Sequence, residues 1–516
     1  MSRAKTPLLE VSQWQTTWDL RKWEGIEVPK TFYIGSISIK TLRKLSGVRR
    51  RDVEARKQES ESAGHQRAHD EKRSEKINRF IKYGYPLSRE TSLNPNEHTD
   101  LINPGWLPTS IIINIIPEKE NREIAGVQKQ VTEENLVKVI NEGGNLYFEY
   151  PEQANKNEWD LDTDALEPLE IIDGQHRLFA IDGENELDDD YNVPVVIFDG
   201  LNPHLQAYLF WVINVEPVKI NPSLAFDLYP ELRSEKWLEQ GEAIQVYREH
   251  RAQELTEALW RHPDSPWSGR IEIHGKRIEG HVSNAAFIRS LQSSFIRQWG
   301  NENKIGGLFG SIDKHGDDYV LPWKRSQQAA FLILIWIKVL NAIKNSNSDW
   351  VKACIDDNNK YESKPEQNPA NLHPAFAGPY TLIATDQGVR ALLVVFNALC
   401  QCKTEDIGLD KWYSKVVTEP TNEAVTQALT ELNEHQDILN FIEKIADAVV
   451  NGRQDWRTSK APSIQKTELR NKQGTYRGSS GYKELISDTF KSLSNASDSE
   501  VAEAAKNVSE IMGIEK

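Results

Sequence analysis

The segment Leu169–Ile181 reads LEIIDGQHRLFAI and places five consecutive polar residues between two apolar runs. The run that ends at Ile172 predicts a buried β-strand, and the run that begins at Leu178 predicts a helix. Asp173 is predicted to cap that helix, and Gly174 allows the backbone to approach a ligand closely. The segment is therefore expected to form a tight turn where a strand meets a helix.

The side chains that follow this turn suit an anion. The amide groups of the first helical turn would carry the positive end of the helix dipole. Arg177 can hold a phosphate through two parallel hydrogen bonds, and Gln175 and His176 add further donors. The simpler interpretation is a capped helix whose Arg177 pairs with a neighbouring acid. The density of polar groups inside an apolar frame favours a ligand site over that interpretation.

A second element lies downstream, where Phe210–Asn214 reads FWVIN. Asn202 and Pro203 are suited to the first positions of a helix. One apolar face is predicted for this helix, formed by Leu205, Tyr208, Leu209, Val212 and Ile213. Asn214 at the end of that face is suited either to cap the helix or to reach into a cleft.

The five residues DGQHR at 173–177 resemble the signature of the DGQHR-domain proteins, whose best-known members are the DndB-like proteins of DNA sulfur modification. Related members, called DpdB, accompany the insertion of deazaguanine bases into DNA. The motif is also similar to the DGQQR of GmrSD-type restriction proteins, and more distantly to the phosphate-binding motifs of ParB and sulfiredoxin. FWVIN resembles the F-x-x-I-N element of these families, and YIGSISIKTL and LPTSIIINI resemble their opening and central strands. The resemblance covers roughly residues 30 to 230.

This resemblance implies an α/β fold of the ParB/sulfiredoxin type that binds, and in several branches hydrolyses, a nucleoside triphosphate such as ATP with Mg²⁺. It implies that the motif residues line the triphosphate and that Asn214 supports it; the motif residues are Asp173, Gly174, Gln175, His176 and Arg177. Phosphoryl transfer needs positioning and charge neutralisation more than a covalent nucleophile.

Three motif residues are therefore the candidate catalytic groups. Arg177 is expected to clamp the phosphates. Asp173 is expected either to hold Mg²⁺ through water or to fix Arg177, and His176 to orient the attacking water. The motif has His176 where the GmrSD-type proteins have Gln, which leaves the hydrolytic roles open.

Length and periodicity predict two domains, because 516 residues are too many for one ordinary core. Residues 1–235 are predicted to form the nucleotide-binding α/β domain, with strands at Thr31–Ile39, Thr109–Pro117, Asn145–Tyr150, Pro168–Ile172 and Val193–Phe198. Residues 236–516 are predicted to be mainly helical. The helical patterns lie at Glu231–Trp260, Ser283–Trp299, Gln327–Asn345, Gly388–Gln401 and Asn422–Val450, and Ser492–Lys516 reads as an exposed amphipathic helix or tail.

Composition excludes several classes of protein. A formal charge of −15 gives no global attraction to nucleic acid, so a DNA surface must be a local basic patch. Three cysteines cannot build a disulfide framework, which favours a cytoplasmic protein. The apolar run Ala329–Leu340 is too short to cross a bilayer and predicts a buried core helix, and the first residues lack a signal peptide.

The best candidate for such a patch is the basic segment 453–483 of the helical part. Its predicted nucleic-acid-binding residues are Arg453, Trp456, Arg457, Lys460, Lys472, Tyr476 and Arg477, because basic groups hold phosphates and rings stack on bases. The alternative is a flexible basic linker. Arg49–Phe80 is a second charged stretch, interpreted as a solvated helix rather than a basic arm, and His65 and His69 within it have no third metal ligand nearby.

The leading functional hypothesis is an NTP-binding, ATP-hydrolysing protein of a prokaryotic DNA-modification or phage-defence system, with the deazaguanine branch as the closer match. Its partner would be a DNA-modification enzyme of the transglycosylase or sulfur-transfer kind, DNA is an expected partner, a membrane is not, and an oligomer stays open. The first alternative is a DndB-like regulator that binds DNA without catalysis. The second is a ParB-like nuclease, although no HNH pattern occurs in the helical half.

Overall fold

The chain divides into two units, Met1–Lys219 and Ile220–Lys516, whereas the sequence predicts a boundary after residue 235. The computed structural model describes residues 2–13, 29–47, 70–124, 127–152, 166–182, 187, 190–214, 226, 229, 238, 244–272, 281–299, 305–311, 321–361, 373–478 and 480–514. Every structural statement below concerns these residues.

The strands of unit 1 are, in chain order, β1 (Arg3–Ser12), β2 (Thr31–Ser38), β3 (Ser46–Gly47), β4 (Ile111–Ile115), β5 (Arg122–Ile124), β6 (Val127–Lys129), β7 (Lys138–Glu142), β8 (Asn145–Pro151), β9 (Leu169–Asp173) and β10 (Asn192–Asp199). Eight of them form one mixed sheet in the order β3-β9-β4-β10-β2-β1-β8-β7, and β5 pairs with β6 separately. The β3/β9 and β4/β10 pairs are parallel. All five strands predicted from the sequence are confirmed, while β1, β3, β5, β6 and β7 are not predicted.

Four helices accompany this sheet: α1 (Ile39–Leu45), α2 (Glu71–Tyr83), α3 (Gln175–Leu178) and α4 (Pro203–Asn214). The apolar run of β9 is buried from Leu169 to Ile172, because the strand lies inside the sheet between β3 and β4 and α4 packs against it. Asp173 is the first residue of β9 that is not fully buried. The polar motif thus begins at the end of a strand whose other residues are all buried.

Unit 2 is mainly helical, as predicted, and the chain as a whole is of the mixed α/β class. Its helices are α5 (Gln245–Arg261), α6 (Asn284–Gln292), α7 (Arg325–Asn345), α8 (Asp349–Tyr361), α9 (Pro374–Ala377), α10 (Asp386–Cys402), α11 (Asn422–Leu432), α12 (Gln436–Asn451), α13 (Thr467–Thr475), α14 (Gly481–Leu493) and α15 (Ser499–Met512); β11 (Ile271–Glu272) pairs with β12 (Val282–Ser283). The pattern at Asn422–Val450 forms two helices rather than one.

Two helices of unit 2, α7 and α15, test predictions of burial made from the sequence. The helix α7 is long and apolar enough to span a membrane, but 72% of its apolar window is buried inside the protein, so the prediction of a core helix is confirmed. The C-terminal helix α15 buries Val501, Ala504, Ala505 and Val508 in the same core. Of the predicted exposed amphipathic helix or tail, the amphipathic helix is therefore confirmed as α15, and the expected exposure is wrong for its apolar face.

Candidate functional site

The turn after β9 is built on Gly174, which has φ +99° and a left-handed conformation. Gly174 itself is the N-cap of α3, and no side chain caps this helix. The prediction that Asp173 caps the helix is therefore wrong. A Cβ atom at Gly174 would lie 3.1 Å from the side chain of Ile111 and 3.2 Å from Nη2 of Arg177, so the turn is close-packed as well as left-handed.

The helix that follows is a single turn, which changes the electrostatic argument. α3 spans only Gln175–Leu178 and continues as a 3-10 turn over Phe179–Ile181. The dipole of one turn is small, so the basic side chains and not the helix dipole supply the positive charge here. The apolar residues after the motif anchor this segment, since Leu178 is fully buried, Ile181 nearly so, and Phe179 is partly buried against the same core.

Asp173 joins the motif to the downstream element. Its Oδ2 accepts a hydrogen bond of 2.7 Å from Nη2 of Arg177, and its Oδ1 accepts one of 3.4 Å from Nδ2 of Asn214. The same Nδ2 donates to the carbonyl of Phe210 within α4. Asn214 therefore both caps the end of its own helix and reaches the motif, and residues 41 positions apart in the chain meet as the sequence predicts.

The Arg177 guanidinium is held from two sides. Besides the pair with Asp173, its Nη1 donates to the carbonyl oxygen and to Oγ1 of Thr109, each at 2.6 Å. Burial lowers the pKa of Arg177, Asp173 opposes that effect, and the charge of Arg73 lowers the pKa further. These bonds use three of the five guanidinium N–H donors, and the side chain keeps 17% of its surface exposed. The Nε–H and one Nη2–H make no hydrogen bond among the described residues and are left for an anion.

The start of α2, which carries Arg73, contacts the motif at His176. The backbone N–H of Asp70 donates to Nε2 of His176 at 3.4 Å, and Oγ of Ser74 donates to the His176 carbonyl at 3.2 Å. The carboxylate of Asp70 accepts from the N–H of Arg73 and so caps α2 itself. The side chain of Arg73 is exposed, and its positive charge is close enough to Arg177 to lower the pKa of that residue.

Gln175 is the buried member of the motif. Only 3% of its surface is exposed, and its Nε2 is fully buried with no hydrogen-bond partner among the described residues. An amide donor left unpaired in the interior costs about 1–3 kcal/mol, which an acceptor such as a phosphate oxygen or a bound water would recover. Gln175 is therefore the motif residue that keeps an unused buried donor.

A buried polar network supports the site, and the sequence reasoning missed it. Glu170 of β9 accepts from Nε of Arg122 at 2.8 Å, from Nδ2 of Asn114 at 3.1 Å and from Nε2 of Gln206 at 2.8 Å. The Oδ1 of Asn114 accepts from the N–H of Leu201, just before α4. Burial would lower the pKa of Arg122, but its hydrogen bond with Glu170 and the charge of that residue raise it. The network fixes α4, and hence Asn214, against β9.

The helix α4 matches its predicted start but not its predicted face. Asn202 caps it, with Oδ1 accepting from the N–H of His204 at 2.9 Å, as expected. Leu205 is buried, but so is Gln206, while Tyr208 is 54% exposed. The prediction of Tyr208 in the apolar face is therefore wrong. The polar Gln206 takes an interior position because Glu170 provides its acceptor.

Mg²⁺ does not fit Asp173 in this arrangement. Both carboxylate oxygens already accept hydrogen bonds, and one of them faces the guanidinium of Arg177, which a cation would repel. The described residues contain no group of three or more His, Cys, Asp or Glu that could hold a metal ion. Of the two roles predicted for Asp173, the geometry supports the fixing of Arg177.

The predicted nucleic-acid surface of unit 2 is partly wrong. Trp456 is fully buried, with Nε1 donating to the Val449 carbonyl at 3.0 Å, and Tyr476 is 1% exposed, with its hydroxyl donating to Asp488 at 2.6 Å. Neither ring can stack on a base. These rings belong to the core of unit 2, so the flexible-linker alternative is wrong as well.

Some basic residues of the segment 453–483 form ion pairs, and most of them are exposed. Arg457 is paired with Asp455 at 2.6 Å, and Lys472 lies 3.4 Å from Asp488. Arg453, Lys460, Lys472 and Arg477 are exposed, and their contact with nucleic acid stays a prediction. His65, His69 and the rest of the charged stretch before residue 70 lie outside the described residues.

Comparisons of the chain with family models, with curated proteins and with solved structures give no match. The functional argument therefore depends on the residues and geometry of the site.

Proposed function

We propose that unit 1 binds a nucleoside triphosphate at the turn after β9 and hydrolyses ATP, in the service of a cytoplasmic DNA-modification or phage-defence system. In this proposal the fold is of the ParB/sulfiredoxin type, and the partner is a DNA-modifying enzyme. The observation that carries the proposal is the meeting of Arg177, Asp173 and Asn214, which combines the two separate sequence elements at one site.

The charge at this site supports a polyanionic ligand. Arg73 and Arg177 are near enough for the charge of one to lower the pKa of the other, so their repulsion is relieved when an anion lies between them. Arg177 is oriented by Asp173 and Thr109 before any ligand arrives, which reduces the entropy lost on binding. Gln175 adds a buried donor. Charge neutralisation of this kind is the main requirement of phosphoryl transfer.

His176 is proposed to hold the attacking water. Its Nε2 lies 3.4 Å from the backbone N–H of Asp70, and an imidazole nitrogen in this accepting role can equally accept a hydrogen bond from a water. The water would be oriented by the imidazole after the Asp70 contact opens, since a 3.4 Å hydrogen bond is weak.

The test is ATP turnover by the purified full chain, wild type against Arg177→Ala and His176→Ala. The matched control is Arg457→Ala, because the Arg457–Asp455 pair has nearly the same length and burial as the Arg177–Asp173 pair but lies in unit 2. We expect a loss of at least about 100-fold in kcat/KM for both site variants, as for groups that act in the transition state. Unchanged turnover in both variants, or an equal loss in the control, would contradict the proposal.

A further inference from the structure

Unit 1 exposes three aromatic side chains, although aromatic rings are usually buried. Among its described residues, Trp106 is 75% exposed, Tyr208 54% and Trp211 48%. Both tryptophans lie three positions before a residue that holds the Asp173–Arg177 pair: Trp106 precedes Thr109, and Trp211 precedes Asn214. The exposed rings are therefore placed on both chain segments that frame the candidate phosphate site.

Trp106 stands on a braced segment. The hydroxyl of Tyr191 accepts from the N–H of Leu107 at 3.0 Å and donates to the carbonyl of Gly105 at 2.8 Å, so one phenol holds the backbone on both sides of the indole. Gly105 lies so close to α2 that a Cβ atom would be 2.0 Å from the Phe80 carbonyl. An exposed tryptophan that is held in this way is available for contact without a loss of backbone entropy.

Trp211 and Tyr208 lie on one face of α4. Residues three apart on a helix are neighbours, so this face continues to Asn214, whose amide contacts Asp173. Three residues of extended chain span roughly 10 Å at most, which limits the separation of Trp106 from Thr109 in the same way. Each tryptophan is therefore only three positions in the chain from a residue that contacts the Asp173–Arg177 pair.

We propose that Trp106 and Trp211 form a stacking platform for a nucleobase whose attached phosphates are bound at Arg177. The inference rests on the proposed function and deepens it: the ligand is a nucleotide with its base, not a bare polyphosphate or a sugar phosphate. Stacking suits any base, because each has a flat π face, and tryptophan offers the largest such surface. The base belongs either to a free nucleotide or to the end of a single strand.

The test compares three ligands by titration calorimetry on the full chain: ATP, inorganic tripolyphosphate and a short oligo(dA). The variants are Trp106→Ala and Trp211→Ala, with Trp106→Phe as the conservative change. The control is Tyr413→Ala, which removes an aromatic ring that is 83% exposed in unit 2. We expect each alanine variant to weaken ATP or oligo(dA) about 5- to 100-fold, with tripolyphosphate unchanged and Trp106→Phe close to wild type.

The outcomes separate the two proposals. Weaker binding of ATP assigns the platform to a free nucleotide, and weaker binding of oligo(dA) assigns it to a strand end. Wild-type affinity for both ligands in both alanine variants, or an equal loss for tripolyphosphate, overturns the platform but leaves the phosphate site standing. Failure of the wild type to bind either ATP or tripolyphosphate contradicts the proposed function itself.

Discussion

Gly174 shows how much of the site depends on a single residue. Its left-handed φ of +99° strains any other residue, and its Cβ position is crowded by Ile111. We expect Gly174→Ala to lower the free energy of unfolding by about 2–3 kcal/mol. Gly144→Ala is the control, because Gly144 has φ +88° but open space around it, and about 1 kcal/mol is expected there. Equal losses in urea denaturation would show that the turn is not close-packed.

The three cysteines make a second prediction at this scale. Burial raises the pKa of the Cys354 thiol to about 12 and also raises those of Cys400 and Cys402, but Cys402 alone is only half-buried. Because a reagent must reach the sulfur, Cys402 should be the one thiol that reacts with a disulfide reagent in the native protein, and its reaction should speed up as the pH rises above 8. Loss of this reaction in Cys402→Ser is expected. Rapid reaction of Cys354 or Cys400 in that variant would show that these thiols are not buried.

The DGQHR motif also shows what a local sequence pattern cannot predict. The pattern DGQHR correctly predicts a turn between strand and helix with polar groups gathered on it. It does not reveal whether Asp173 caps the helix or pairs with Arg177, because both contacts lie within four residues and either satisfies the carboxylate. The choice depends on Gly174, whose conformation starts α3 without a side-chain cap.

At the scale of elements, the Glu170 network holds α4 against β9. Glu170→Gln would remove the buried charge partner of the Arg122 guanidinium and leave it only Glu120, which is 38% exposed, so we expect a loss of about 3 kcal/mol in stability. The double variant Arg122→Met/Glu170→Gln should recover part of this loss, because no unpaired guanidinium remains and the glutamine keeps an acceptor for the buried amides of Asn114 and Gln206. Chemical denaturation of wild type and both variants measures this. A double variant no more stable than the single one would contradict the account.

The sequence could not predict this network. Glu170 and Asn114 each stand alone in an apolar strand, and Arg122 and Gln206 lie 48 and 36 positions from Glu170 in the chain. Periodicity recovers strands and helices because every residue of an element contributes to it. A buried ion pair is a property of the register between elements, which no local pattern encodes. The same limit explains why Tyr208 is exposed where an apolar face predicts burial.

At the scale of the whole molecule, the two units should respond differently to ligand. A ligand that binds only the folded form stabilises it by about 2.7 kcal/mol at 100 times its Kd. Because the candidate site lies within unit 1, calorimetry should show ATP raising one melting transition and leaving another in place. Arg177→Ala should abolish this shift, and Arg457→Ala should keep it. Movement of both transitions in the Arg177 variant would contradict a site in unit 1.

The most direct test of the central claim is a crystal structure of the full chain with a non-hydrolysable ATP analogue. We predict phosphate oxygens against the free edge of the Arg177 guanidinium and the side chain of Arg73, with Gln175 Nε2 hydrogen-bonded. The contradicting result is an analogue bound elsewhere or not at all, with Arg177 still joined only to Asp173 and Thr109.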